Sequence, residues 1–300
     1  MNKMSDKNDV LVKALTKDGM FRVYGLNATG IVSYVQKIHD TWSTSTAALG
    51  RTIAATLMLS ASVLKGKESM TVRLNGQGPV GGMVIDADAK GHIKGYIQNP
   101  HVNLPLTQDG KIDVAKGVGK NGFLEVVKNQ GTSEPYTSDV PLASGKIGDD
   151  FTFYLAKSEQ IPSAVGVSVD IDGKNNVQSA GGYLIQVMPG ASDEAIDKLE
   201  KALKTAPSIS SMLEKDPNPD HILDELFGKD QLDIVDHLPV EFVCNCSKER
   251  FAKDIAGIGE KDLQQLIDED HGAQVVCNFC GKKYDFSEDE LVEMLNNKDK

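Results

Sequence analysis

All four cysteines of this chain, Cys244, Cys246, Cys277 and Cys280, fall within 37 of its 300 residues, as Cys-x-Cys, 30 intervening residues, then Cys-x-x-Cys. Two close pairs of sulfur ligands at that spacing suit tetrahedral thiolate coordination of Zn²⁺. The surrounding segment is poor in apolar residues for a core of its own, and modules of this size usually depend on a metal or on disulfides. The spacing therefore predicts one zinc ion per chain on these four residues. His237 and His271 lie nearby, but four thiolates complete the shell, so both histidines are expected at the surface.

Zinc would keep the sulfurs in the thiolate form, which is also the form that oxidises. Either close pair can form a disulfide, and each such bond removes two ligands. In small zinc modules the metal supplies about 10–16 kcal/mol of folding free energy, against about 5–15 kcal/mol for a whole domain. Oxidation is then expected to unfold the module. The chemistry alone leaves an oxidation switch and an inert structural zinc module equally open.

Residues 1–190 are expected to form an α+β core built mainly of antiparallel strands. Residues 9–38 alternate apolar and polar around Gly19, Gly25 and Gly30 and are read as short strands. Ser43–Leu64 is read as a helix, with Ala47, Ala48, Leu49, Ile53 and Leu57 at helical spacing. Further strands are expected at Met70–Leu74, Val80–Asp86, His92–Gln98, Phe123–Lys128, Pro135–Val140, Val165–Ile171 and Ser179–Val187, and a helix around Phe151–Leu155. Strands and helices do not alternate regularly, which argues against a parallel α/β sheet.

After Met188-Pro189-Gly190 the texture changes. Residues 191–236 read as a helical, metastable linker whose short pieces are punctuated by Pro207, Pro217 and Pro219. Helices this short persist only while their apolar faces rest on a partner surface. Residues 237–300 are the small C-terminal zinc-binding domain, with helices expected after Ser247 and from Lys261 to Ile267, a strand and knuckle at Val275–Gly281, and a last helix opened by a Ser287/Glu290 capping box.

Charge follows the same division. Residues 191–300 carry 26 acidic and 13 basic residues, a net of −13, whereas residues 1–190 carry 17 and 19, a net of +2. Such an acidic surface disfavours nucleic acid. Met1–Val10 has no apolar signal-like run, and the apolar stretch Thr52–Leu64 falls short of the about 20 residues that span a bilayer. A cytoplasmic protein with no membrane partner is expected.

Nothing points to an enzyme or to catalytic residues. Gly76-Gln77-Gly78-Pro79-Val80-Gly81 matches a dinucleotide-binding glycine pattern, but Met83-Val84-Ile85 behind it reads as strand. The pyrophosphate of such a site needs a helix N-terminus there. No cofactor besides zinc is expected.

Cys-Asn-Cys-Ser-Lys-Glu-Arg at 244–250 with Cys-Asn-Phe-Cys-Gly at 277–281 resembles the C-terminal signature of the redox-regulated 33-kilodalton heat-shock chaperones (the 33 kDa chaperonin family). Body segments agree: Gly78–Met83, Ser158–Ser163 and Ala180–Pro189 are similar to family segments, and the resemblance runs from about Leu11 to Leu295. Pro135–Asp139 departs from it where a glycine is expected. The resemblance implies an ATP-independent holdase, zinc-bound and inactive when reduced. On oxidation it implies disulfides Cys244–Cys246 and Cys277–Cys280, release of zinc, unfolding of the linker, and capture of unfolding client proteins by a homodimer through residues 1–190. Ile196, Leu199, Leu203, Ile222, Leu226 and Phe227 are then expected to belong to a cover over the client-binding surface. Two other readings compete: a constitutive zinc-dependent interaction module, and a thiol oxidoreductase working through Cys277-Asn278-Phe279-Cys280.

Overall fold

The computed structural model describes residues 2–4, 6–132 and 134–296. The chain divides into two compact units, one of Met4–Phe242 and a smaller one that joins residues 1–3 to residues 243–300. In chain order the elements up to the linker are β1 (Asn2–Met4), β2 (Val10–Thr16), β3 (Phe21–Asn27), α1 (Thr29–His39), α2 (Ser43–Val63), β4 (Ser69–Asn75), β5 (Met83–Asp88), β6 (His92–Ile97), α3 (Val114–Val118), β7 (Phe123–Asn129), β8 (Tyr136–Pro141), α4 (Ile147–Lys157), β9 (Ser163–Ile171) and β10 (Val177–Val187). The fold class is α+β with antiparallel sheets.

One sheet of the larger unit runs β6-β5-β4-β7-β8, antiparallel throughout. Glu241 and Phe242 add to its β6 edge in parallel, opposite His92 and Ile93. The second sheet has the order β11-β2-β3-β10-β9, where β11 is Leu232–Pro239. Helix α2 touches β5 and β6 of the first sheet and β9 and β10 of the second, so it forms the core between them. Its residue Gly50 has no room for a Cβ, which would come within 2.9 Å of side-chain atoms of both Val32 and Val169. The apolar stretch thus extends into a 21-residue helix that is long and apolar enough to cross a membrane by length and composition, yet 78% of its most apolar window is buried inside the fold.

Residues 29–39 correct the expectation of strand. Ile31, Val32 and Val35 are β-branched and read as strand locally, but they form the buried face of α1. The helix starts here because the Asp9 carboxylate accepts from Gly30 N at 2.9 Å and Ile31 N at 2.7 Å. A carboxylate 21 and 22 residues upstream of them satisfies these first-turn donors.

The segment after residue 190 forms α5 (Asp193–Thr205), α6 (Ile209–Lys215) and α7 (Asp220–Phe227). Ser192 and Ser208 cap the first two, accepting from Ala195 N and Ser211 N. The expectation of a purely helical linker to residue 236 fails at its end: Leu232–Pro239 is strand β11, antiparallel to β2, with a bulge between Ile234 and Asp236. Its alternation is hidden by Asp233, Asp236 and the exposed Ile234 and Val235. An edge strand buries little, so its sequence carries little pattern.

The three helices lie on the second sheet. Leu199, Met212, Leu213, Ile222, Leu223 and Leu226 share one buried cluster with Val12, Ala14, Phe21, Val23 and Ile185. Those sheet residues sit at alternate positions, as one face of a pleated sheet requires. All six linker residues expected in the cover belong to this cluster or pack against it.

The smaller unit holds the end of β12 (Glu241–Cys244), then α8 (Lys248–Ala256), α9 (Glu260–Asp268), the hairpin β13 (Gly272–Val276) and β14 (Lys283–Ser287), and α10 (Glu288–Asn296). Strand β14 went unread in the sequence. The capping box is present: Ser287 N donates to Glu290 Oε2 at 2.9 Å, and Glu290 N to Ser287 Oγ at 3.4 Å. The core is small: Ile255, Leu263, Ile267, Tyr284, Phe286 and Leu291 are its buried members.

Candidate metal centre

Each cysteine sits at an element boundary where the chain must turn. Cys244 ends β12, and Cys246 precedes Ser247, whose side chain caps α8 by accepting from Arg250 N. Cys277 and Cys280 lie in the turn between β13 and β14. Gly281 N donates to Cys277 O at 2.8 Å, and Cys277 N to Lys282 O at 2.9 Å. Gly281 takes φ +71°, which glycine adopts without strain. The turn therefore points both thiols the same way.

All four Sγ atoms lie within 4.8 Å of one another, and all four cysteines are free thiols. The Cys244–Cys277 sulfurs are 3.7 Å apart and the Cys246–Cys280 sulfurs 3.4 Å. A tetrahedral site with metal–sulfur bonds of about 2.3 Å has sulfur–sulfur edges of about 3.8 Å. The four residues can thus hold a single metal ion. These contacts run between the two knuckles, so the two pairs converge on one centre.

Protonation states within the cluster are unequal. Burial opposes ionisation of Cys246, but hydrogen bonds from Tyr284 and from the neighbouring thiols outweigh it and bring the thiol down to about 7. Burial pushes Cys244 and Cys280 up instead. Tyr284 Oη donates to Cys246 Sγ at 3.2 Å and lies 3.0 Å from Cys246 O. Donation to that thiolate, and then burial, raise the phenol itself. Sequence reasoning missed Tyr284, because its role comes from β14 folding back beside Cys246. A tyrosine four residues after the last cysteine was the available signal.

Neither nearby histidine joins the cluster. His237 pairs with Asp220 at 2.9 Å, and His271 with Glu288 at 3.0 Å. The Cys277–Cys280 knuckle leads into strand β14, whereas a thioredoxin-like motif opens a helix. The glycine pattern at residues 76–81 is a turn between β4 and β5. Gly76 and Gly78 are there because the backbone of residues 117–119 lies against them, with Gly78 N donating to Val118 O at 2.9 Å.

The family model described as "Hsp33 protein" matches residues 9–287. The 33 kDa chaperonin of Levilactobacillus brevis is 56% identical over 96% of this chain and 97% of its own length, and that of Lactiplantibacillus plantarum 53% identical over 96% and 97%. The crystal structure of the 33 kDa chaperonin from Thermotoga maritima superposes with a TM-score of 0.90 at 32% identity, over 97% of this chain and 99% of the other. The family-model match over residues 9–287, with relatives and a solved structure aligned over nearly the whole chain, places the chain in the Hsp33 family of non-enzymatic heat-shock chaperones.

Proposed function

We propose that this chaperone is an ATP-independent holdase held inactive in the reduced state and switched on by oxidation of Cys244, Cys246, Cys277 and Cys280. The observation that carries the reading is the gathering of these four sulfurs within 4.8 Å in a unit whose own apolar core is small. Zinc, when bound, would hold the four sulfurs as thiolates and supply most of the folding free energy of residues 243–296. The division of labour we propose is a core of residues 1–190 that binds clients and dimerises, a linker of residues 191–236, and a redox-switch domain of residues 237–300.

The chain's own residues carry the switch. Cys244 with Cys246, and Cys277 with Cys280, each give up two electrons as thiolates to form a disulfide. Hydrogen peroxide as oxidant takes the two electrons and, with two protons from solvent, leaves two waters per bond. Each disulfide removes two sulfurs from the ligand set, and the small unit loses its tie. The linker helices rest on the second sheet rather than standing alone, so the signal travels along the chain through β11, which is hydrogen-bonded to β2 just before the cysteine unit begins. Release of β11 and then of α5–α7 uncovers Val12, Phe21, Val23 and Ile185, an apolar face fit for unfolded clients. Kinship with the family supports a cytoplasmic homodimer as the active form, and the acidic C-terminal half disfavours nucleic acid as a partner.

The test measures bound zinc, far-UV circular dichroism and protection of a heat-denatured client against light scattering, before and after peroxide. Oxidation is expected to release one zinc per chain, reduce helix content and switch protection on. Equal protection by both forms, or zinc retained after complete oxidation, overturns the proposal.

A further inference from the structure

We propose that the larger unit also binds a small organic oxyanion, a carboxylate or a phosphate, through Arg51. Its place is the groove between α2, the loop of residues 103–112, β9 and the start of α6. This groove is a cavity of about 790 Å³, within the about 300–1,000 Å³ of small-molecule sites. Arg51 lines it from α2. Its Nε is sealed from solvent and has no hydrogen-bond partner. Burial lowers its pKa, with no carboxylate close enough to offset that effect.

Other charged groups set into this unit have polar partners, although Asp150 Oδ2 has none. Lys128 has Glu159, Asp9 has Gly30 N and Ile31 N, and Asp150 has the backbone N–H groups of residues 143–145. Among the described residues Arg51 lacks such a match. A guanidinium stays charged in proteins, and a half-buried one with no counter-charge gains from an anionic partner. Its planar fork fits a carboxylate or phosphate through two parallel hydrogen bonds. Ser43, Ser168, Ser208 and Ser210 also line the groove and offer hydroxyls to a polar body. Two carboxylates on its wall limit the charge it accepts. Asp172 is already engaged by Lys174 N, Asn176 and Gln178, whereas Asp170 disfavours a multiply charged guest. The ligand class is therefore one anionic head on a hydroxylated body.

Ser208 and Ser210 belong to the linker, while Arg51 and Ser168 belong to the sandwich beneath it. A ligand that touches both binds only the docked linker and stabilises it by mass action. This second step rests on the proposed linker release, and the binding site itself does not.

Isothermal titration of the reduced, zinc-loaded chain with inorganic phosphate and with glycerate, a hydroxylated monocarboxylate, each against chloride at equal ionic strength, tests the site. Saturable binding of at least one is expected, weakened about 10- to 100-fold in Arg51→Met, the loss of one charge-assisted bidentate contact. The anion that binds identifies the head group. Should Arg51→Met fail to fold, Ser168→Ala replaces it, with weakening of about 2- to 10-fold expected for one neutral hydrogen bond. No saturable response to either anion, or an equal response in wild type and variant, overturns the site. Hydrogen exchange of α6 is expected to slow with the anion in the wild type only. Binding that depends on Arg51 while α6 exchange is unchanged overturns the coupling to the linker and leaves the site standing.

Discussion

Replacing Leu223 by alanine isolates the contact that holds the linker down. Leu223 is fully buried on α7, in the cluster shared with β2, β3 and β10. Helix and sheet are in close contact there: a Cβ on Gly25 of β3 would come 2.8 Å from Pro219 O and 3.2 Å from Leu223 Cγ. Truncating a buried leucine costs about 2–5 kcal/mol. A helix of 8 residues has no stability of its own to absorb that loss. At about 3 kcal/mol the docking equilibrium moves about 150-fold toward the released linker. Amide hydrogen exchange on the reduced, zinc-loaded protein reads this directly. Exchange in α5–α7 is expected to accelerate by about that factor, while β4, β5 and β7 in the other sheet keep wild-type protection. The reduced variant is also expected to suppress client aggregation without oxidant. Gly25→Ala, which wedges the same contact from the sheet side, should reproduce both effects. Equal acceleration across residues 10–187 would refute the reasoning, because the linker and the sheet would then open as one unit. Unchanged exchange in α7 would refute it as well.

Three further outcomes are expected. Lys128 Nζ bonds both oxygens of Glu159, at 2.8 and 3.0 Å, and Tyr154 Oη donates to the same carboxylate at 2.7 Å. Lys128→Met leaves that carboxylate buried and unpaired and is expected to cost about 3–5 kcal/mol in urea unfolding, mostly recovered by adding Glu159→Gln; a loss under about 1 kcal/mol would contradict this. Burial pushes Asp9 up to about 7, against the pull of the Gly30 and Ile31 N–H groups. With its folded pKa above the unfolded value, stability from Asp9 is fully present below about pH 4 and lost as pH rises through about 7, by at most about 4 kcal/mol. Urea midpoints of wild type and Asp9→Asn should therefore diverge as pH rises from 4.5 to 7.5, with the wild type losing more; parallel curves would contradict the assignment. Chelating the metal under reducing conditions is expected to abolish exchange protection in residues 243–296 while the two sheets keep theirs, and retained protection in β13 and β14 would show that the small unit holds itself together.

The sulfur cluster was legible because residue type and spacing are local properties of the chain. Cys244, Cys246, Cys277 and Cys280 announce a tetrahedral sulfur site before any folding is considered, and the apolar stripes at Ile196–Leu203 and Ile222–Phe227 mark helices that need a partner surface. The capping box at Ser287 and Glu290 was readable for the same reason. Where structure is set by contacts distant in sequence, local pattern misled. The β-branched face of α1 reads as strand until Asp9 supplies its cap. β11 reads as linker because an edge strand hides half its pattern.

The sequence by itself determined which four sulfurs come together, where the capped helices α5, α8 and α10 start, and that residues after 190 depend on something else for their order. Only the tertiary structure decided what that something is, the Val12–Val23–Ile185 face of one sheet. It also brought Tyr284 against Cys246 and left Arg51 Nε buried without a hydrogen-bond partner. These last facts arise from segments that approach one another through packing, and packing is a property of the whole chain at once, which no window of neighbouring residues contains.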